Sequence, residues 1–250
     1  MINDQKPATH QSTTSDVRSR VDQSATSLTR FGRALWRECL RVYGQLFERH
    51  RQHKLLVEHI AGRPIVVLPE VSHPKMLRTS EYFVQTFGVH LIAPTASVLD
   101  MGTGFGIGAV VAASWAQRVV AVDVDPEAVR CTRINALINR VDTRVAVREG
   151  DLFTPVNGER FDVVLFNPPL YQDRPLNTTE RAWRSDDTID RFAANLRSHL
   201  TLNGYALMPL STNGQADAVL RTFRNNGFQI DVITDYDLLS ERLTVYKVRG

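Results

Sequence analysis

Apolar and polar segments alternate along the carboxyl-terminal part of the chain in a pattern that predicts strands and helices in turn. Such alternation is typical of a parallel sheet with helices on both faces. The last apolar segment follows a strand without an intervening helix and should pair antiparallel. We therefore predict a doubly wound, seven-stranded α/β sheet with its ligand crevice at the carboxyl ends of the strands. The predicted strands are 96–100, 118–123, 143–147, 161–166, 204–209, 228–234 and 242–248, and the predicted helices are 106–116, 126–139, 187–200 and 214–226.

The amino-terminal part of the chain has a different character. Residues 1–26 are polar and predict a flexible tail. Residues 27–88 predict a helical extension that serves as a lid or substrate element, and residues 89–250 form the predicted catalytic domain. The division thus gives three parts, with the sheet confined to the last.

Within the extension, apolar side chains recur every three or four positions over residues 28–60 and predict a helix that ends before Gly62. Arg side chains line a second face of this helix. Two interpretations stay open: a helix packed on the core with a solvated Arg face, or a lid whose Arg face touches an acidic partner. A short strand over 64–71 and a helix over 75–87 complete the extension.

Composition limits the kinds of partner and the cellular location that we expect for this protein. The chain of 250 residues carries a net charge of +3, but residues 1–63 hold 11 basic and 6 acidic side chains, so the excess lies outside the predicted catalytic domain. That distribution argues against a nucleic-acid substrate. No apolar run is long enough to cross a bilayer, no secretory signal is visible, and two cysteines make no disulfide framework. We expect a cytoplasmic protein; the oligomeric state stays open.

A glycine-rich turn follows the first strand of the predicted sheet. The segment Ser97–Gly106 reads as an apolar strand, Asp100, and then Gly102, Gly104 and Gly106 before a helix. Glycines allow tight turning and close approach of a ligand to the backbone. A carboxylate just before them would repel a pyrophosphate but suits the ammonium group of S-adenosylmethionine (SAM). This position therefore favours SAM over a dinucleotide.

Two further acids follow the next two strands. Asp123 ends a strand 21 residues beyond Gly102, where a carboxylate can accept hydrogen bonds from ribose hydroxyls. Asp125 precedes Pro126 and is predicted to cap the next helix. Asp151 is predicted to accept from an adenine amino group, and the Leu152 amide to donate to a ring nitrogen. Three acids in this order predict a SAM site.

The reacting site is predicted where the strand 161–166 runs into Asn167-Pro168-Pro169. Two prolines make a stiff turn, which holds the Asn167 side chain and the Pro168 carbonyl in place. Both oxygens are acceptors, and together they can hold an NH₂ group and direct its lone pair at an electrophilic carbon. This pattern is typical of N-alkylation.

The sequence resembles the class I SAM-dependent methyltransferases that carry an Asn-Pro-Pro-aromatic motif, above all the release-factor glutamine and ribosomal-RNA guanine N-methyltransferases. The resemblance covers residues 96–170 and implies a Rossmann-like fold with SAM as cofactor. It implies catalytic roles for Asn167 and Pro168, and Tyr171 is the candidate for the aromatic position because Leu170 stands where the family has Tyr or Phe. The cofactor-binding residues that it implies are Asp100, Gly102, Gly104, Gly106, Asp123, Asp151, Leu152 and Asn167.

Three functions follow as hypotheses. The first is SAM-dependent methylation of an amine or amide nitrogen in a small molecule or a protein side chain. The second is a cyclase of natural-product biosynthesis, in which the SAM amine attacks its own γ-carbon and yields azetidine-2-carboxylate and methylthioadenosine. Aromatic side chains would then cradle the sulfonium. The third is a SAM-fold interaction module without catalysis. The aromatic candidates are Trp36, Tyr82, Phe83 and Tyr171.

Overall fold

The computed structural model describes residues 55–69, 71, 74–168, 187–212, 215–237 and 242–250. The predicted tail, the Arg face of the first helix, and Leu170 with Tyr171 lie outside these residues. Within the described ranges, no helix is long and apolar enough to cross a membrane.

Seven of the described strands form one sheet, as the pattern predicts, in the order β5-β4-β3-β6-β7-β9-β8. Neighbours from β5 to β7 are parallel, whereas β9 lies antiparallel between β7 and β8. The antiparallel prediction for the last strand is therefore confirmed. These strands are β3 Ser97–Met101, β4 Arg118–Asp123, β5 Val145–Glu149, β6 Phe161–Phe166, β7 Leu200–Ser211, β8 Gln229–Asp237 and β9 Arg242–Arg249.

Helices connect the strands at the predicted places, with some boundaries shifted. The helix predicted over 106–116 is shorter, and the one predicted over 187–200 ends at Leu196 and gives way to a 3₁₀ turn over Arg197–His199. The strand predicted over 204–209 extends in both directions because Leu200 pairs with Phe161 of β6 at one end and Ser211 pairs with Leu243 of β9 at the other. The described helices are α1 Pro74–Gln85, α2 Ile107–Ala112, α3 Pro126–Ile138, α4 Thr188–Leu196 and α5 Ala216–Asn225.

The prediction of one helix through residue 60 is wrong at its end. Residues Leu56–Ile60 form strand β1, which pairs antiparallel with β2, Arg63–Val67. Ala61 and Gly62 both have positive φ, at 50° and 73°. Two residues with positive φ make the type I′ turn whose twist suits a two-residue hairpin. Gly62 is therefore a hairpin residue rather than the end of a helix.

Helix α3 holds the hairpin against the sheet domain through Asn135. This side chain is fully buried. Its Oδ1 accepts from the Val66 amide at 2.8 Å, and its Nδ2 donates to the carbonyls of Val66 and Phe105, both at 2.7 Å. One carboxamide thus satisfies both backbone groups of a β2 residue and one group of the glycine-rich turn.

The sheet is covered on both faces, which explains why its strands are apolar on both sides. Val98 and Leu165 belong to the core that packs with the hairpin and helices α1 and α2. Leu99 and Phe166 belong to the second core, built with helices α4 and α5. Because helices cover both faces of the sheet, the polar side chains of the clefts lie at the carboxyl ends of β3, β4 and β6.

Candidate functional site

Two adjoining clefts lie at the carboxyl ends of β3, β4 and β6. The first, of about 370 Å³, is lined by Asp100, Gly104 and residues of helix α1. The second, of about 450 Å³, is lined by Asp123, Asp151 and Leu152. Gly102 and Asn167 line both clefts. The structure thus brings together residues that are up to 87 positions apart in the chain, at the crevice predicted from the strand order.

Asp100 is buried beneath the glycine-rich turn. Its Oδ2 accepts from the Thr103 hydroxyl at 2.6 Å and from the Ala109 amide at 2.8 Å. A Cβ atom at Gly108 would lie 2.7 Å from the carboxylate, so the helix backbone can approach only as glycine. Burial outweighs these hydrogen bonds and raises the pKa of Asp100 to about 6. The carboxylate therefore organises the turn and also lines the first cleft.

The three predicted glycines have different surroundings, although all three have positive φ. A Cβ atom at Gly102 or Gly104 would meet no atom within 4 Å. A Cβ atom at Gly106 would lie 2.8 Å from the Thr132 side chain on α3. Gly102 and Gly104 thus leave open space over the turn, whereas Gly106 permits the close packing of two helices.

Asp123 ends β4 beside this turn and is 2% exposed. Its Oδ2 accepts from the Gly104 amide at 2.8 Å and its Oδ1 from the Asp125 amide at 3.0 Å. Burial raises the pKa of Asp123 to about 6 against these two hydrogen bonds and a third from the Val124 backbone. A carboxylate has about four lone-pair sites, so a site remains for a ligand in the second cleft. Asp125 caps α3 by accepting from the Glu127 amide at 3.0 Å, which confirms that prediction.

Asp151 and Leu152 form the rim of the second cleft after β5. The Asp151 side chain is half exposed and pairs with Arg191 of helix α4. This hydrogen bond raises the pKa of the Arg191 guanidinium. Leu152 has a φ of +46°, an uncommon value for a residue with a side chain. The backbone therefore turns sharply where its amide is predicted to meet a ligand.

Asn167 follows β6 at the junction of the two clefts. Its Nδ2 donates to the Ser80 hydroxyl on helix α1, at 3.2 Å. Pro168 is buried next to it. Because the amide nitrogen is engaged by Ser80, the Asn167 oxygen remains as the group that can accept from a ligand.

Two residues at the site were missed from the sequence, Ser80 and Arg191. Ser80 sits inside a helical pattern that indicates packing, and Arg191 lies in the first turns of α4 among other charges. Neither belongs to a motif. The only available signal was the polar Ser80 on an otherwise apolar helix face, next to Phe83 and Val84. Of the aromatic candidates, Phe83 lines the first cleft, whereas Tyr82 packs against Tyr236 with ring centres 5.1 Å apart.

A family comparison agrees with this geometry. Residues 65–231 match the sequence model of the methyltransferase small domain. The chain belongs to this family. The match begins in strand β2 and extends into β8, so it includes both clefts.

Proteins similar to this chain are also methyltransferases. The chain is 34% identical to the release factor glutamine methyltransferase of Aliivibrio fischeri, over 76% of each chain. It is 28% identical to the corresponding enzyme of Koribacter versatilis, over 75% of this chain and 69% of that one. A methyltransferase structure from Pyrococcus furiosus superposes with a TM-score of 0.55 and 19% identity, covering 86% of this chain and 98% of that one.

The methyltransferase small domain family makes this chain a SAM-dependent transferase, with SAM as its cofactor. The residues present fit that group. The open space above Gly102 and Gly104 can admit a ligand at close range to the backbone, and the carboxylates of Asp100 and Asp123 suit a cationic ligand with hydroxyl groups.

Proposed function

We propose that this methyltransferase modifies a protein, by transferring the SAM methyl group to the side-chain amide nitrogen of a glutamine. The names of its relatives supply the substrate class. The observation that carries the proposal is the position of Asn167, whose side chain lines both clefts and turns its amide nitrogen toward Ser80. The prediction of a protein side chain is thus preferred over a small molecule.

The two clefts suggest how the cofactor lies. In the proposal, the first cleft receives the methionine end, with its ammonium near Asp100 and its carboxylate over the glycine-rich turn. The second cleft receives the nucleoside end, with ribose hydroxyls at Asp123 and adenine between Asp151 and the Leu152 amide. Bound SAM supplies an electrophilic methyl group on a positively charged sulfur. Asn167 lines both clefts and would therefore lie beside the group that is transferred.

The protein has to orient a poor nucleophile. An amide NH₂ attacks weakly because its lone pair is delocalised, so its alignment with the methyl carbon decides the rate. In the proposal, the Asn167 oxygen and the Pro168 carbonyl accept the two N–H groups and turn the nitrogen lone pair toward the methyl carbon. In this reaction the nitrogen–carbon bond would form as the carbon–sulfur bond breaks, S-adenosylhomocysteine would leave, and the nitrogen would release one proton to water.

The proposal is tested with a purified peptide-chain release factor and isotopically labelled SAM. We expect label in the release factor, on a glutamine side chain identified by fragmentation mass spectrometry. A release factor with that glutamine replaced by alanine is the control and should stay unlabelled. Label on a lysine or an arginine, or no label in the release factor at all, would contradict the proposed acceptor.

The same incubation tests Asn167. The Asn167→Ala variant should bind SAM with nearly unchanged affinity by calorimetry, because it loses one contact among several, and lose turnover by about a hundredfold or more, the loss expected when an orienting group is removed. Equal turnover would make Asn167 only a turn residue. The relatives named above give no support to the cyclisation hypothesis or to natural-product biosynthesis; methylthioadenosine formed from SAM alone would revive that hypothesis against our proposal.

A further inference from the structure

We propose that Ser80 is a positioning residue that holds the Asn167 carboxamide in its productive orientation. The inference rests on the proposed function and adds a residue to it. Ser80 lies on helix α1, 87 positions before Asn167, and no motif joins the two. Both side chains nevertheless line the first cleft.

The argument begins with the asymmetry of a carboxamide. An asparagine side chain has an oxygen that accepts and a nitrogen that donates, with nearly the same shape. Only the oxygen can hold the N–H groups of an acceptor amide. If the group turned by half a rotation, its own NH₂ would face the NH₂ of the acceptor, and two donors would oppose each other.

The Ser80 hydroxyl pairs with the nitrogen end of the carboxamide. It accepts from Asn167 Nδ2 at 3.2 Å, which places the nitrogen toward α1 and leaves the oxygen for the acceptor. Ser80 is 7% exposed, so water competes weakly for its hydroxyl. The hydrogen bond therefore favours the orientation that the proposed reaction needs.

Helix α1 is itself held firmly at this point. Phe83 and Val84 lie three and four positions after Ser80, on the same face of the helix, and both are buried in the first core. Phe83 also packs edge-on against Phe87, with ring centres 5.0 Å apart. The Ser80 hydroxyl is thus fixed by packing rather than by the ligand, as a positioning group has to be.

The first test compares Ser80→Ala with a matched control, Thr86→Ala. Thr86 follows α1, is 8% exposed, and donates its hydroxyl to the Phe83 carbonyl at 2.6 Å, but does not itself line either cleft. We expect Ser80→Ala to lower kcat on the release factor about tenfold, with SAM affinity unchanged by calorimetry. Ser80→Thr, which keeps the hydroxyl, should restore most of that rate, and Thr86→Ala should keep the full rate. An equal loss in both alanine variants would mean that Ser80 acts only through helix stability.

A double-mutant cycle then shows whether Ser80 acts through Asn167. If it does, Ser80→Ala should have no further effect on kcat in the Asn167→Ala background. Additive losses would overturn the inference.

One measurement does not depend on the acceptor. The side-chain NH₂ resonances of Asn167, assigned by their loss in Asn167→Ala, should move in Ser80→Ala and stay in place in Thr86→Ala. Unmoved resonances would refute the positioning role, even if glutamine methylation holds. Moved resonances without any transfer to a release factor would refute the proposed function instead.

Discussion

At the residue scale, two buried carboxylates stand out because neither has a cationic partner among the contacts described for it. Asp100 and Asp123 instead accept hydrogen bonds from neutral groups. Burial consequently raises the pKa of each to about 6, above the ordinary value of 3.8. A cationic ligand would stabilise the ionised form of both.

We therefore expect SAM affinity to increase as the pH rises from 5 to 7, because the carboxylates must be ionised to attract a cation. The stability of the ligand-free protein should run in the opposite direction. Each acid has a higher pKa in the folded state, so ionising it costs stability, and stability falls as the pH rises from about 4 through 6. Calorimetric titrations of SAM at several pH values, and urea unfolding at the same values, measure the two trends. An Asp100→Asn variant should show a weaker dependence on pH both in SAM affinity and in the free energy of unfolding. If the SAM affinity of the wild type did not change with pH, the cofactor role of these acids would be contradicted.

Gly102 offers a second residue-scale prediction with a matched control in the same chain. Gly102 and Gly158 have φ values of 66° and 80°, and a Cβ atom at either would meet no atom within 4 Å. Substitution by alanine should cost each position about 1 kcal/mol of unfolding free energy, through backbone strain alone.

The two variants should differ in SAM binding, because only Gly102 lines the clefts. We expect Gly102→Ala to weaken SAM binding at least about tenfold, since the methyl group fills the space that a close ligand needs. Gly158→Ala should bind SAM like the wild type. Equal SAM affinity in the two variants would contradict our assignment of Gly102 to the SAM site.

At the element scale, features that arise from neighbouring residues could be predicted from the sequence, whereas features that depend on residues far apart in the chain could not. The strands of the sheet and the glycine-rich turn were predictable because apolar runs, glycines and acids follow each other locally. The hairpin was missed because residues 56–60 continue the spacing of the preceding apolar positions, and only pairing with β2 makes them a strand. The partners of Asn167 and Asp151 were missed because Ser80 and Arg191 lie 87 and 40 positions away.

The three hydrogen bonds of the buried Asn135 carboxamide give an element-scale prediction. Replacing Asn135 by leucine leaves the Val66 amide and the carbonyls of Val66 and Phe105 without this partner. We expect a loss of about 3 kcal/mol in unfolding free energy, because buried backbone groups lose their hydrogen bonds. The control is Asn139→Ala, which removes a partly buried donor to the Pro64 carbonyl and should cost about 1 kcal/mol. Equal losses in urea unfolding would show that the hairpin is held by its apolar contacts instead.

At the scale of the whole domain, the proposed cofactor touches the ends of β3, β4, β5 and β6 through Gly102, Asp123, Asp151 and Asn167. A ligand with contacts to four strands binds only the folded sheet, so its binding free energy adds to the free energy of unfolding. With SAM at a hundred times its Kd, the gain is about 2.7 kcal/mol. For a chain of this size that corresponds to a rise in Tm of roughly 5–11 °C. Thermal unfolding with and without SAM measures it, and Gly102→Ala should lose about half of the rise or more at the same SAM concentration, while Gly158→Ala keeps it. An unchanged Tm for the wild type, at a concentration that saturates binding by calorimetry, would mean that SAM does not bridge these strands.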